Sequence, residues 1–321
     1  MADLSDWTAT SMMSDSGQEK ILISNSNGLF SMEIFYFGAT VVSWRHNGEE
    51  QLFVSDNAVL DGSKAIRGGI PLVFPQFGQP NKVMPQHGVA RTAQWRRLSF
   101  TSEPTVATLQ MQLTDSEKTK EWWPYSFELV YTLKLSFESL QCSLAATNQD
   151  TKDFQMHALF HTYFSVPSIH DTRILGLNGK AYIDKVMNGA LVEKDEDTSI
   201  LIDKEVDRVY VSALSPIPDV SISYSSGRGI IVSKSAEIAV SPVSHVPGDI
   251  PPEPSAKAAT VEVPVDVVVW NPWSDKSRAM ADLGEDRFQR FVCIEPGSVS
   301  EWVPLHPMAT YILTQTLTAT L

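Results

Sequence analysis

The chain has 321 residues, 43% hydrophobic and 20% charged, the composition of an ordinary globular protein with room for one large domain or two smaller ones. Its net charge of −13 argues against nucleic acid and anionic membrane surfaces as partners. No apolar run approaches the roughly 20 residues of a membrane span, and the N-terminus MADLSDWTATSMMSD lacks the basic and apolar regions of a signal peptide.

Only Cys142 and Cys293 are present, and no Asn-x-Ser/Thr acceptor occurs; both facts fit a cytoplasmic location with free thiols. Residues 1–20 are Ser/Asp/Met-rich and unpatterned, and a loose segment is expected there. Residues 21–321 read as a single domain. Short β-type runs at Ile21–Ser24, Leu29–Phe35 and Thr40–Arg45 are separated by turn signals such as Asn27-Gly28 and Asn47-Gly48.

Ala65–Trp95 breaks this rhythm. Pro71, Pro75, Pro80 and Pro85 punctuate it, with Gly68-Gly69 and Gly78 as backbone joints. It is too aromatic to be disordered, and long ordered loops are usually functional. Between Asp61 and Arg97 stand Lys64, Arg67, Lys82, Arg91, Arg96 and Arg97 against Asp61 alone. Such a basic island in an acidic chain suits an anion site; a solvated basic surface is the plainer alternative.

Strands resume at Gln94–Phe100, Val106–Leu113, Phe127–Phe137 and Leu140–Thr147, with a short helix at Ser116–Trp122 ending before Pro124. The next run, FQMHALFHTYF from Phe154 to Phe164, read as one strand, puts His157, Leu159, His161 and Tyr163 on one face and Met156, Ala158, Phe160, Thr162 and Phe164 on the other. The four-residue gap between the histidines spans roughly 13 Å on a strand, too far for one metal ion.

Arg173–Val192 holds two or three short strands, and Asp195–Val206 is an acidic loop leading into Asp207-Arg208-Val209-Tyr210. Residues 244–260 are Pro/Ala/Ser-rich and read as a flexible loop insertion. Then come a strand at Val261–Trp270, a helix near Ser274–Leu283 closed by Gly284, and strands at Arg290–Glu295 and Thr310–Ala319. No nucleotide-binding glycine motif and no repeat occurs. Some eighteen to twenty strands with two short helices predict an all-β domain of two large antiparallel sheets packed face to face.

Arg67, Arg91, His161, Asp207 and Glu295 are polar features able to meet in one cleft. Each also has an ordinary structural use: a satisfied core histidine, a strand-end glutamate, a turn aspartate. Loop hydrogen bonding is the ordinary use of Gln86 and His87.

The segments AIRGGIPLVFPQFG, PQHGVAR, WWPYSFELVYTLKL, MHALFHTYFSV, VDRVY, VVVWNPWSDKS and CIEPG bring a family into view. From about Ser24 onward the chain resembles the hexose-6-phosphate mutarotases of the aldose 1-epimerase (galactose mutarotase-like) superfamily. The resemblance implies a β-supersandwich. It makes His161 the general acid and Glu295 the general base, with Arg67, Gln86, Arg91 and Asp207 binding substrate, and His87 beside them. His157 receives no role. The first twenty residues and 244–260 have no counterpart in it.

The implied reaction opens and recloses a pyranose. One group removes the O1 proton while the other protonates O5, at roughly 10²–10⁴ in rate for each positioned transfer. The two groups are expected on opposite edges of the ring, several ångströms apart, with no metal or other cofactor. A 6-phosphate would explain the arginines, since arginine binds phosphate through paired N–H donors. The alternatives are an aldose 1-epimerase of free hexoses, a non-catalytic sugar-phosphate binder, and a two-carboxylate glycosidase. A monomer is expected.

Overall fold

The computed structural model describes residues 6–240 and 259–320. Period-two alternation drives most of these into antiparallel strands. The Phe127–Ser136 and Ser139–Asn148 strands illustrate it: Leu129, Tyr131, Leu133 and Leu135 on one, and Leu140, Cys142 and Leu144 on the other, are fully buried, while their neighbours stay half-wet.

Two large sheets result. One has nine strands, in the order Thr172–Leu175, Val220–Tyr224, Gly229–Val240, Ala309–Thr320, Ser139–Asn148, Phe127–Ser136, Val106–Thr114, Arg96–Glu103, with Ala259–Glu262 added to Gly229–Val240. The other has eight: Ala190–Val192, Tyr182–Asp184, Val206–Tyr210, Asp266–Asn271, Phe291–Leu305, Phe154–Phe160 and Leu72–Val73, with Tyr163–Ser165 added to Phe291–Leu305. Their facing sides form one continuous apolar core, joined by Met156, Ala158, Phe160, Val267, Val269 and Ile294 from the eight-stranded sheet. This is the all-β, face-to-face architecture expected.

A third sheet of five strands runs from Trp7 to Glu50. Its first strand, Trp7–Met13, pairs along its whole length with Glu19–Asn25. The segment expected to be loose is therefore ordered from Trp7. The reason is Trp7 itself, buried in the core against Phe137 with ring centroids 5.1 Å apart. An unpatterned polar strand at a sheet edge needs only one such anchor.

The helix Glu117–Trp122 starts where expected, on a capping box: the Ser116 hydroxyl accepts from the Thr119 N–H, and the Thr119 hydroxyl accepts from the Ser116 N–H. The second helix is shorter than expected, Trp273–Ala279. The insertion at 244–260 lies outside the described residues except for Ala259 and Thr260, which open the Ala259–Glu262 strand.

Two further departures bear on the site. The strand expected to end at Glu295 continues to Leu305, because Pro296 and Gly297 keep pairing with Val267 and Asp266. The run expected as one strand from Phe154 to Phe164 is interrupted at His161 and Thr162, between Phe154–Phe160 and Tyr163–Ser165. At the break the His161 N–H turns to the Pro71 carbonyl, 3.0 Å away, in the long loop.

Candidate active site

The alternation predicted for Phe154–Phe164 survives the break. Leu159 and Tyr163 belong to a second apolar cluster with Val209, Val268, Trp270 and Cys293, on the side of the eight-stranded sheet away from the main core. Register explains it. Leu159 pairs with Gly297 and Tyr163 with Cys293, which leaves His161 and Glu295 opposite each other midway between them. Glu295 then pairs with Val268, and Val268 with Val209. In the adjacent row Tyr163, Cys293, Trp270 and Asp207 follow one another across four strands. Cross-strand partners share a face, so His161, Glu295 and Asp207 emerge on the same side.

The long loop roofs this face. Gly68 and Gly69 let it press against the Phe53–Val54 and Val41–Val42 backbones; both have positive φ, and a Cβ on either would overlap a carbonyl oxygen. The loop thereby delivers Arg67, whose Nη1 donates to the Tyr163 hydroxyl at 3.2 Å. Further along, His87 adopts the left-handed conformation, φ 65°, held by its N–H to the Gly78 carbonyl at 2.7 Å and by the Gly78 N–H to its Nδ1 at 3.2 Å. Accepting at Nδ1 puts the proton of the neutral ring on Nε2. His87 meets the His161 ring edge-on at 5.7 Å. Gln86 is exposed at the rim, and its carbonyl accepts from Arg91 Nη2 at 2.8 Å.

The structure thus brings His161, Glu295 and Asp207 to one side of the eight-stranded sheet, with Arg67, His87, Arg91 and Gln86 on the loop that runs over it. His157 stands apart. Its Nδ1 accepts from the Phe77 N–H at 3.2 Å and its ring stacks on Trp302 at 3.8 Å, so it braces the loop.

His161 Nδ1 lies 3.4 Å from Glu295 Oε1, with His161 Nδ1 and Glu295 Oε2 lacking hydrogen-bond partners. The pair is thus much closer than the several ångströms expected across a sugar ring, as opposite positions in one register must be. Burial, with the nearby negative charge of Asp207 second, pushes the Glu295 carboxyl well up. Burial, then the positive charges of Arg91 and Arg67, hold the His161 imidazolium well down. Both directions favour the uncharged form of each group in the free protein.

The arginines differ. Arg67 is already engaged by Asp282, Nε to Oδ1 and Nη2 to Oδ2, both at 3.3 Å. Burial opposes its charge, but Tyr163 and Asp282 more than offset that. Arg91 has no carboxylate within ion-pair distance among the described residues, its Nε is buried without a partner, and burial pulls its pKa down to about 10. An incompletely satisfied cation is poised for an anion.

Sequence reasoning missed Asp282 and Tyr163. Tyr163 stacks on His161 at 4.8 Å and 9°; its shared face with His161 was the available signal. Asp282 had none, because its role depends on a tertiary pairing with Arg67. Cys293 brings Sγ within 4.8 Å of ligand atoms of His161 and Glu295, the one such trio among the described residues.

The fold is thus a face-to-face β-sandwich carrying a buried histidine–carboxyl pair on the outer side of its eight-stranded sheet. Residues 19–241 match the model of the aldose 1-epimerase family. A protein of Cenchrus ciliaris is 32% identical over 91% of this chain and 82% of its own length. One of Escherichia coli K12 is 31% identical over 82% and 78%. Both bear the name "putative glucose-6-phosphate 1-epimerase". The crystal structure of "a putative mutarotase (YeaD) from Salmonella typhimurium" superposes with a TM-score of 0.80 at 25% identity, covering 97% of this chain and 93% of that one. The chain belongs to the aldose 1-epimerase family. It is an isomerase of the mutarotase kind, acting on a sugar.

Proposed function

We propose that this enzyme interconverts the α and β anomers of D-glucose 6-phosphate and related hexose 6-phosphates, with His161 and Glu295 as its proton-transfer pair. The observation that carries the phosphate reading is Arg91, a cation near that pair with no carboxylate within ion-pair distance among the described residues. The names of the relatives support the same substrate class.

In ring opening the unprotonated member of the pair takes the O1 proton as the protonated member gives its proton to O5. The C1–O5 bond breaks and the C1=O bond forms. Rotation about C1–C2 presents the other face of the aldehyde, and closure returns both protons. Because opening and closing use each group in both senses, the reaction runs from either resting position of the proton. The phosphate adds a direction. Its charge offsets Arg91 and Arg67, which hold the imidazolium down, and so eases protonation of His161. Asp207, whose carboxyl burial pushes up, faces the ring hydroxyls as a hydrogen-bonding group, with Gln86 and His87 at the rim.

Anomer exchange followed by NMR on glucose 6-phosphate and on glucose in parallel tests the reading. Selective acceleration of the phosphate ester is expected. Equal acceleration of both would keep the acid–base chemistry and remove the phosphate; acceleration of neither, with binding retained, would make the protein a sugar-phosphate binder.

A further inference from the structure

A hexose 6-phosphate brings up to two negative charges into the cleft. Arg67 is committed to Asp282, which leaves Arg91. A second uncommitted cation stands at the mouth. Lys185 follows directly on the Tyr182–Asp184 strand, and its N–H donates to the Asp207 carbonyl at 2.8 Å, which ties its backbone to the strand carrying Asp207. From there its side chain crosses to the long loop, where Nζ lies 4.3 Å from the Phe77 ring centroid. Phe77 packs against His87 at 5.4 Å, and His87 against His161 at 5.7 Å. Lys185 is exposed, and among the described residues its ammonium has no ion-pair partner and donates no hydrogen bond.

We propose that Lys185 is a substrate-binding residue of this enzyme: its ammonium, resting on Phe77 at the cleft mouth, transfers onto the phosphate of the incoming sugar and, with Arg91, completes a two-cation clamp. The proposal rests on the hexose 6-phosphate reading above. An exposed cation–π contact is weak beside a charge-assisted hydrogen bond to phosphate, so the exchange is downhill. Lysine suits it, as a point charge on a flexible stem that reaches without fixed geometry.

The test is steady-state mutarotation of glucose 6-phosphate and glucose by the wild type and by Lys185→Ala, Lys185→Arg and Phe77→Leu. Lys185→Ala is expected to raise KM for the phosphate ester roughly 10-fold or more, for one lost charge-assisted hydrogen bond, with kcat changed little and glucose turnover unaffected. Lys185→Arg should retain most of the affinity, and Phe77→Leu should leave KM unchanged or lower it. An unchanged KM in Lys185→Ala overturns the proposal. So does equal loss on both sugars, which would make Lys185 a support for Asp207, and so does a Phe77→Leu defect as large as that of Lys185→Ala. A wild type without preference for the phosphate ester removes the substrate reading itself, and this proposal with it.

Discussion

His161 and Glu295 face each other across two antiparallel strands, Nδ1 to Oε1 at 3.4 Å, though 134 positions separate them in sequence. The pairings on either side, Leu159 with Gly297 and Tyr163 with Cys293, fix that register from both directions. The paired strands on either side of His161 therefore fix where the two side chains stand, a precondition for the proposed proton transfers. His161→Asn and Glu295→Gln should each fold and lose roughly 10²–10⁴ in kcat, approaching the spontaneous rate. NMR exchange rates check this, and a variant that keeps most of its activity removes its residue from the mechanism.

Glu295 also makes a stability prediction. Its folded pKa lies above its unfolded one, chiefly through burial. The folded state then holds the proton more tightly, so stability falls as pH rises from the ordinary carboxyl range through the raised folded value. Glu295→Gln removes that slope. Thermal melts should show the variant gaining on the wild type as pH rises from about 4.5, while it stays inactive. A stability difference that does not change with pH would mean the carboxyl is not buried as described.

The two arginines should separate. Arg91→Ala should cut kcat/KM for glucose 6-phosphate roughly 10- to 100-fold, spare glucose, and leave the melting temperature unchanged or slightly raised, since an incompletely satisfied cation is removed. Arg67→Ala strands Asp282, whose side chain is 9% exposed and keeps, among the described residues, only the ion pair with Lys64 at 3.7 Å. It should lose about 2 kcal/mol of stability as well as substrate affinity. Identical behaviour of the two variants would contradict the asymmetry.

The legible part of this chain was whatever a period of two or a local motif encodes. Leu159 and Tyr163 fell on the face that the alternation assigned, and Ser116 capped its helix. The basic loop advertised itself by charge against an acidic background. What stayed hidden was pairing between distant segments. Glu295 looked like a strand end because Pro296 and Gly297 resemble a turn, yet a proline at one position and a glycine under a neighbouring strand can both continue a sheet. Asp282 and Lys185 are ordinary surface residues until the fold brings Arg67 and Phe77 to them. Trp7 ordered a segment whose remaining residues gave no pattern.

Phosphate should raise the pKa of His161. Burial and then Arg91 and Arg67 depress His161 in the free enzyme. An anion bound to those arginines offsets the second contribution, so the histidine pKa must rise. Titration of the His161 ring by ¹⁵N NMR, with and without saturating inorganic phosphate, should show an upward shift that Arg91→Ala abolishes. A downward or absent shift, with phosphate demonstrably bound, would place the anion away from the arginines.

Gly297 makes the close pairing possible. It stands opposite Leu159, and a Cβ there would overlap the Ala158 carbonyl oxygen and the Leu159 backbone and side chain. Its backbone is ordinary, so the demand for glycine comes from space alone. Gly297→Ala must push the Phe291–Leu305 strand away from Phe154–Phe160, two residues from Glu295 on one side and two from His161 on the other. Overpacking of this kind costs about 1–3 kcal/mol, and the displaced pair loses the alignment its proton transfers need. The variant should therefore melt lower and lose at least about tenfold in kcat, with KM for glucose 6-phosphate little changed, because Arg67 and Arg91 sit on the loop and not on these strands. Lower stability with an intact kcat would show that the pair tolerates a looser register than this sheet imposes.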